Sequence, residues 1–133
     1  MREILFKAKR KDNSEWVEGY YRADPDLDTH YICGWNYYAS ENGLERESFE
    51  EEINYNTLCQ YTGLTDKNGR KIWENDIAYI RSSGLSGYGV IKYENGNLVL
   101  VDSKRKRTYS LYGEWKIRKD GNIFDNAGLL EVE

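Results

Sequence analysis

The sequence predicts a mainly β protein built from antiparallel hairpins, with little helix. Three observations carry that expectation. The 133 residues include 12 Tyr, 4 Trp and 3 Phe, side chains that favour strands and bury large areas while keeping a polar handle. There are 12 Gly but only 5 Ala, which disfavours a helical bundle. Turn signals recur near residues 13, 42, 68, 95 and 121, and the residues between them do not match, so they read as hairpins laid end to end rather than true repeats. Leu, Ile, Val and Phe supply only 28 residues, close to the floor for an ordered domain, so the aromatics must complete the core. A single domain's length, with 32% charged residues and a net charge of −4, suits an ordinary soluble protein.

In chain order, residues 4–9 and 16–21 flank Asp12-Asn13-Ser14-Glu15 and read as strand, turn, strand. Residues 44–53 are the one helix candidate. Its apolar stripe is thin, with Leu44, Glu45, Ser48, Phe49 and Glu52 on one side, and an exposed acidic loop or single turn is a close alternative. Residues 61–64 and 71–73 form a hairpin across Asn68-Gly69. Residues 77–80, 89–93 and 98–101 are β-branched and aromatic, hence strand-like. Between the last two, Asn95-Gly96 is the strongest short hairpin signal, because a type I′ turn needs positive φ at both central residues. The glycines of Gly84-Leu85-Ser86-Gly87-Tyr88-Gly89 read as a mobile hairpin loop, since a phosphate cradle would open a helix and this stretch leads into a strand. Ala127-Gly128-Leu129-Leu130 reads as a closing turn of helix pinned by its leucines.

Two cysteines are too few for a stapled secreted domain. The apolar run near the N-terminus is too short for a signal core, and no window spans a bilayer. A cytoplasmic protein with reduced thiols is expected, with no membrane association.

Few residues suggest chemistry. Asp24, Asp26 and Asp28 have the spacing of calcium ligands, but Thr29 and Trp35 stand where that loop needs Gly and Glu. His30, Cys33 and Cys59 lack a paired clip and a fourth ligand for zinc. No metal and no cofactor are expected. His30 is the only histidine, which narrows acid–base catalysis. Asp66 and Asp76 could form a carboxylate pair, yet both lie in turns, where Asp commonly caps a backbone amide.

Charge is uneven. Nine acids between residues 24 and 52 face Arg46 alone, a net of −8, which leaves +4 for the rest. Such poles can bring subunits together or steer a partner. Lys104-Arg105-Lys106-Arg107, followed by Tyr109, Tyr112 and Trp115, interleaves cations with aromatics, as nucleic-acid binders do. The alternative is a solvated hairpin tip beside core-facing aromatics.

Four stretches together resemble the YopX family of bacteriophage and prophage proteins. They are residues 2–10, residues 16–21 (Trp16-Val17-Glu18-Gly19-Tyr20-Tyr21), residues 60–77, and Gly121-Asn122-Ile123-Phe124-Asp125-Asn126. The third is the distinctive one. It opens Gln60-Tyr61-Thr62-Gly63-Leu64-Thr65-Asp66, turns at Lys67-Asn68-Gly69 and ends Trp73-Glu74-Asn75-Asp76-Ile77. Asn75 stands where this family is expected to carry Gly, and Ala127-Gly128 replaces a Pro-acid pair; both departures touch turn geometry. The resemblance implies a small Src-homology-3-like barrel in the second half, so that residues 1–57 would hold hairpins and the acidic insert and residues 58–133 the barrel-like half. It also implies a phage or prophage origin and brings no established activity. Its shared positions are mainly turn-formers and core aromatics, the turn residues of the motif being Gln60, Thr62, Gly63, Asp66, Asn68, Gly69 and Asp76. The expected function is therefore a non-enzymatic β module that binds a host or phage protein, with the acidic 24–52 segment as contact, and that forms a homo-oligomer. The alternative is a nucleic-acid accessory factor using Lys104, Arg105, Lys106, Arg107, Tyr109 and Trp115.

Overall fold

The structure, a computed structural model, describes residues 4–131; residues 1–3, with Arg2 and Glu3 of the first family-like stretch, and residues 132–133 lie outside the described residues. Within those limits the chain is mainly β, as expected, with two short 3-10 turns and no α-helix. It divides into two compact units, Met1–Gln60 and Tyr61–Glu133.

In the first unit, β1 (Phe6–Lys9) pairs antiparallel with β2 (Trp16–Asp24) across the Asp12-to-Glu15 turn. β2 pairs with β3 (Thr29–Ser40), and β3 with β4 (Gly43–Glu52). Cys59 and Gln60, opening β5 (Cys59–Thr65), pair with Lys7 and Phe6. Alternation sets the faces: Ala8, Ile32 and Ile53 are buried, with Phe6, Val17, Tyr21, Phe49 and Leu58 packed on them. A 3-10 turn at Tyr55–Thr57 follows, capped by the Asn54 side chain, which accepts the Asn56 amide.

The helix expected over 44–53 is instead strand β4. Its acidic run has no apolar face with helical period, whereas every residue from Gly43 to Glu52 finds a cross-strand partner in the aromatic-rich β3. Phe49 shows the fit, because its ring fills the space a side chain at Gly34 would take, within 2.8 Å of that Cβ position.

In the second unit, the remainder of β5 pairs with β6 (Lys71–Trp73). The other strands are β7 (Asp76–Ser82), β8 (Leu85–Glu94), β9 (Asn97–Asp102), β10 (Arg107–Ser110) and β11 (Lys116–Asn122), in sheet order β10-β9-β8-β7-β11. Asn95 and Gly96 both have positive φ, 50° and 80°, as the hairpin signal requires. The 84–89 stretch is not a mobile loop. A two-residue turn at Ser83-Gly84 closes the β7–β8 hairpin, and Gly87 and Gly89 lie buried inside β8. The signal near 121 is likewise no turn but a bulge in β11, where the register shifts between Lys119 and Gly121. One face of the sheet carries Ala78, Ile80, Ile91, Leu100 and Ile117 into a buried core with Ile72 and Leu111. Among the described residues no pairing joins β10 to β11, so the sheet stays open and the expected small Src-homology-3-like barrel is not confirmed. The chain ends in a 3-10 turn, Ala127–Glu131, with Leu129 and Leu130 half-buried.

Candidate functional site

The face of the five-stranded sheet turned away from its core holds an open groove of about 620 Å³, within the usual range of ligand sites. Strand register builds its floor. Tyr79 pairs with Tyr88 on one side and Arg118 on the other, so the three stand in one row across β8, β7 and β11. Val90 and Val101, paired one row along, complete the floor, and Leu129 and Leu130 also line it. The bulge in β11 leaves Asp120 outside the ladder, where its carboxylate accepts from Arg118 Nε and Nη2 at 2.9 and 3.1 Å. Arg118 also lies 5.1 Å from the Tyr79 ring centroid. Burial pushes the Tyr88 hydroxyl above its ordinary pKa, and the charge of Asp120 and a hydrogen bond with it add to that rise. Lys104 and Arg105 stand on the groove's other side, in the turn after β9; buried Asp102 shapes that turn by accepting the Arg105 amide at 3.1 Å.

The first unit offers a different surface. β2 accompanies β3 only as far as the Tyr20–Cys33 pair. From Gly34 to Ser40, β3 runs with β4 alone among the described residues, as a two-stranded arm. Trp35, Tyr37, Ala39, Leu44 and Arg46 share one side of it, while Asn36, Tyr38, Glu45 and Glu47 share the other. Trp35, Tyr37, Tyr38 and Leu44 are 46%, 62%, 45% and 75% exposed. Arg46 stacks over Trp35 at 4.1 Å.

The sequence-predicted basic and aromatic residues do not form one site. Lys104 and Arg105 line the groove, and Lys106 and Arg107 are exposed beside it. Tyr109 and Trp115 pack against the core on the opposite side of the sheet, with their rings edge to face at 6.1 Å. Trp115 Nε1 donates to the Ser110 carbonyl at 3.1 Å.

His30 is held on three sides. Its Nδ1 meets the Tyr21 hydroxyl at 2.6 Å, Nε2 meets Asp28 at 3.3 Å, and its ring stacks on Tyr55 at 4.1 Å. Asp24 caps its own turn through the Asp26 and Leu27 amides. Among the described residues no group of three His, Cys, Asp or Glu side chains is placed to hold a metal ion.

The family-like residues are architectural. Gln60 lies opposite Phe6. Gly63, with φ of 85°, carries the register shift in β5; Thr62 Oγ1 replaces the lost ladder bonds by donating to the Ile72 carbonyl at 2.6 Å and accepting the Leu64 amide at 3.1 Å. Asp66 Oδ1 accepts the Asn68 and Arg70 amides at 2.9 Å each, and Oδ2 accepts Arg70 Nε at 2.8 Å. Gly69 alone takes positive φ there, 81°, so the turn is not the I′ type seen at Asn95-Gly96. Asn75 adopts φ of 72°, a left-handed conformation that Gly or Asn accepts readily. Asp76 is fully buried, accepting the Trp73 amide at 2.8 Å with Lys119 Nζ at 3.2 Å.

Burial alone would raise the Asp66 carboxyl, but the bonds from the Arg70 amide and guanidinium and the Asn68 amide hold it below the usual carboxylate range. A lowered folded value means stability present at neutral pH and lost as pH falls through it. Asp66→Asn should therefore cost about 2 kcal/mol at neutral pH. Urea unfolding should show that gap closing as the pH falls below the usual carboxylate range; an equal cost at both ends of the range would contradict the charged role.

The family model described as YopX protein matches residues 5–131. The crystal structure of protein EF1440 from Enterococcus faecalis is similar over 98% of this chain and 99% of that one, with a TM-score of 0.57 and 20% sequence identity. No curated protein matches. The likeness to EF1440 concerns the fold alone.

Proposed function

This chain belongs to the YopX protein family, and we propose that it is a non-enzymatic binding module, encoded by a phage or prophage and acting in the host cytoplasm, whose contact with a protein partner is the β3–β4 arm. The carrying observation is the exposure of Trp35, Tyr37, Tyr38 and Leu44 on a ribbon that no third strand among the described residues supports. A lone two-stranded hairpin is marginal in water, and Tyr and Trp are the side chains that interfaces concentrate. The arm falls within the acidic 24–52 segment, and Glu41, Glu45 and Glu47 would favour a basic partner. The residues outside 24–52 carry a net +4, so a second copy of the chain offers a basic surface of that kind, and the module acts as a homo-oligomer as well.

Capture from host extract tests this. The Trp35→Ser, Tyr37→Ser, Tyr38→Ser, Leu44→Ser variant should fold with an unchanged core and lose at least about tenfold of a partner that the native chain enriches, as expected when a few buried aromatics carry the binding. Equal capture by both proteins would overturn the assignment of the arm. A monomeric mass across the micromolar range in light scattering would remove self-association.

The nucleic-acid alternative has less support. Its two stacking rings, Tyr109 and Trp115, are engaged with the core and with each other, and single-strand binders need such faces open.

A further inference from the structure

We infer that the groove over β7, β8 and β9 is a binding site for a small planar aromatic anion of about mononucleotide size. Three independent features point to that chemistry. The first is the floor. Tyr79 and Tyr88 are direct cross-strand partners that both line the groove, so their side chains offer neighbouring aromatic surface to a flat ligand. Aromatic platforms of this kind gain about 1–3 kcal/mol per stacked ring system.

The second is the charge. Three cations, Lys104, Arg105 and Arg118, line the groove against the carboxylates of Asp102 and Asp120. The charges are not spread evenly. Arg118 and Asp120 neutralise one another through two hydrogen bonds at the β11 side. The net positive charge of the lining therefore lies at the other side, where Lys104 and Arg105 stand with the single carboxylate of Asp102, which also accepts the Arg105 amide. A ligand lying on the tyrosines would meet those two cations with one end only, which selects a body that is uncharged and a single anionic substituent.

The third is size. Some 620 Å³, open to solvent on one side, accommodates a bicyclic aromatic with a phosphate, sulfonate or carboxylate and excludes little smaller. On the other side of β8, Gly87 and Gly89 alternate with Ser86, Tyr88 and Val90 and let the Tyr109 ring and the β9 backbone approach closely.

A matched pair of dyes separates this inference from general stickiness: 1-anilinonaphthalene-8-sulfonate and its uncharged analogue N-phenyl-1-naphthylamine, titrated by fluorescence against the full chain. The sulfonate should bind about tenfold tighter than the neutral dye, since a charge-assisted contact is the only difference between them. Lys104→Glu with Arg105→Glu, two exposed turn positions whose change leaves the Asp102 amide bond in place, should abolish that preference while leaving neutral-dye binding unchanged. The arm variant should bind the sulfonate as the native chain does. Equal affinity for both dyes, an unaltered preference in the Glu variant, or loss of the signal in the arm variant would each overturn the site. Because the arm and groove variants are read separately, failure here leaves the protein-binding reading intact.

Discussion

Gly89→Ala should lower the thermal midpoint by about 10 °C or more, the largest effect expected from any single methyl group in this chain. In an ordinary strand interior the same change would be favourable by roughly 0.5–1 kcal/mol, because glycine surrenders more backbone freedom on folding. Here the steric cost reverses the sign. A Cβ at Gly89 would overlap the Val101 carbonyl oxygen and lie 2.7 Å from its carbon and 3.1 Å from the Asp102 Cα. All three atoms are backbone, so no rotamer change relieves the clash. Relief requires β8 and β9 to part beside the Val90–Val101 and Ile91–Leu100 pairs, and Ile91 and Leu100 are both fully buried. Overpacking of this kind costs about 3 kcal/mol or more. Gly87→Ala provides the internal control: its Cβ would meet the Tyr109 ring at 2.6 Å, a side chain that can swing aside. Circular dichroism melts of the two variants should differ sharply, and similar midpoints would refute the backbone argument.

Asp76→Ala should cost about 3–5 kcal/mol, the usual penalty for leaving one partner of a buried ion pair without the other. Asp76 is completely buried, and its carboxylate sits between the Trp73 amide and Lys119 Nζ, whose side chain is itself only 19% exposed. Truncation removes the acceptor from both. Pairing it with Lys119→Met should recover a good part of the loss, because the second change deletes the uncompensated charge. Urea denaturation of the single and double variants measures the coupling directly, and purely additive costs would show that the ion pair contributes nothing.

These two positions also mark what the sequence made legible. Asp76 closes the family-like 60–77 stretch, and most of its surroundings were readable because the interactions are local: Asp66 bonds two and four residues ahead, and Asn95-Gly96 dictates its own turn. Strand β4 was not readable, since its acidic run is stabilised by partners in β3 that only register supplies. The direction of Tyr109 and Trp115 was hidden for the same reason. Tyr109 lies opposite Leu100, and that pairing turns its ring to the core side, away from the neighbouring cations. The groove draws on four strands, a turn and the C-terminal leucines, too scattered for any motif. The bulge that frees Asp120 resembled an ordinary Asp-Gly turn and was distinguishable only once β7 was seen to continue past it.

The arm has one further property, which concerns how it can change length. Because its two sides alternate strictly, removing one residue from each strand, for instance Asn36 and its partner Glu47, would turn over everything beyond that point, moving Tyr37, Arg46 and Leu44 off the Trp35 side and bringing Tyr38 and Glu45 onto it. Removing two from each strand keeps every outer residue on its own side. The arm can therefore be shortened or extended only in four-residue steps, each altering its reach by about 7 Å. Insertions or deletions that obey this rule change how far the module stretches without disturbing the core formed by Ala8, Ile32 and Ile53.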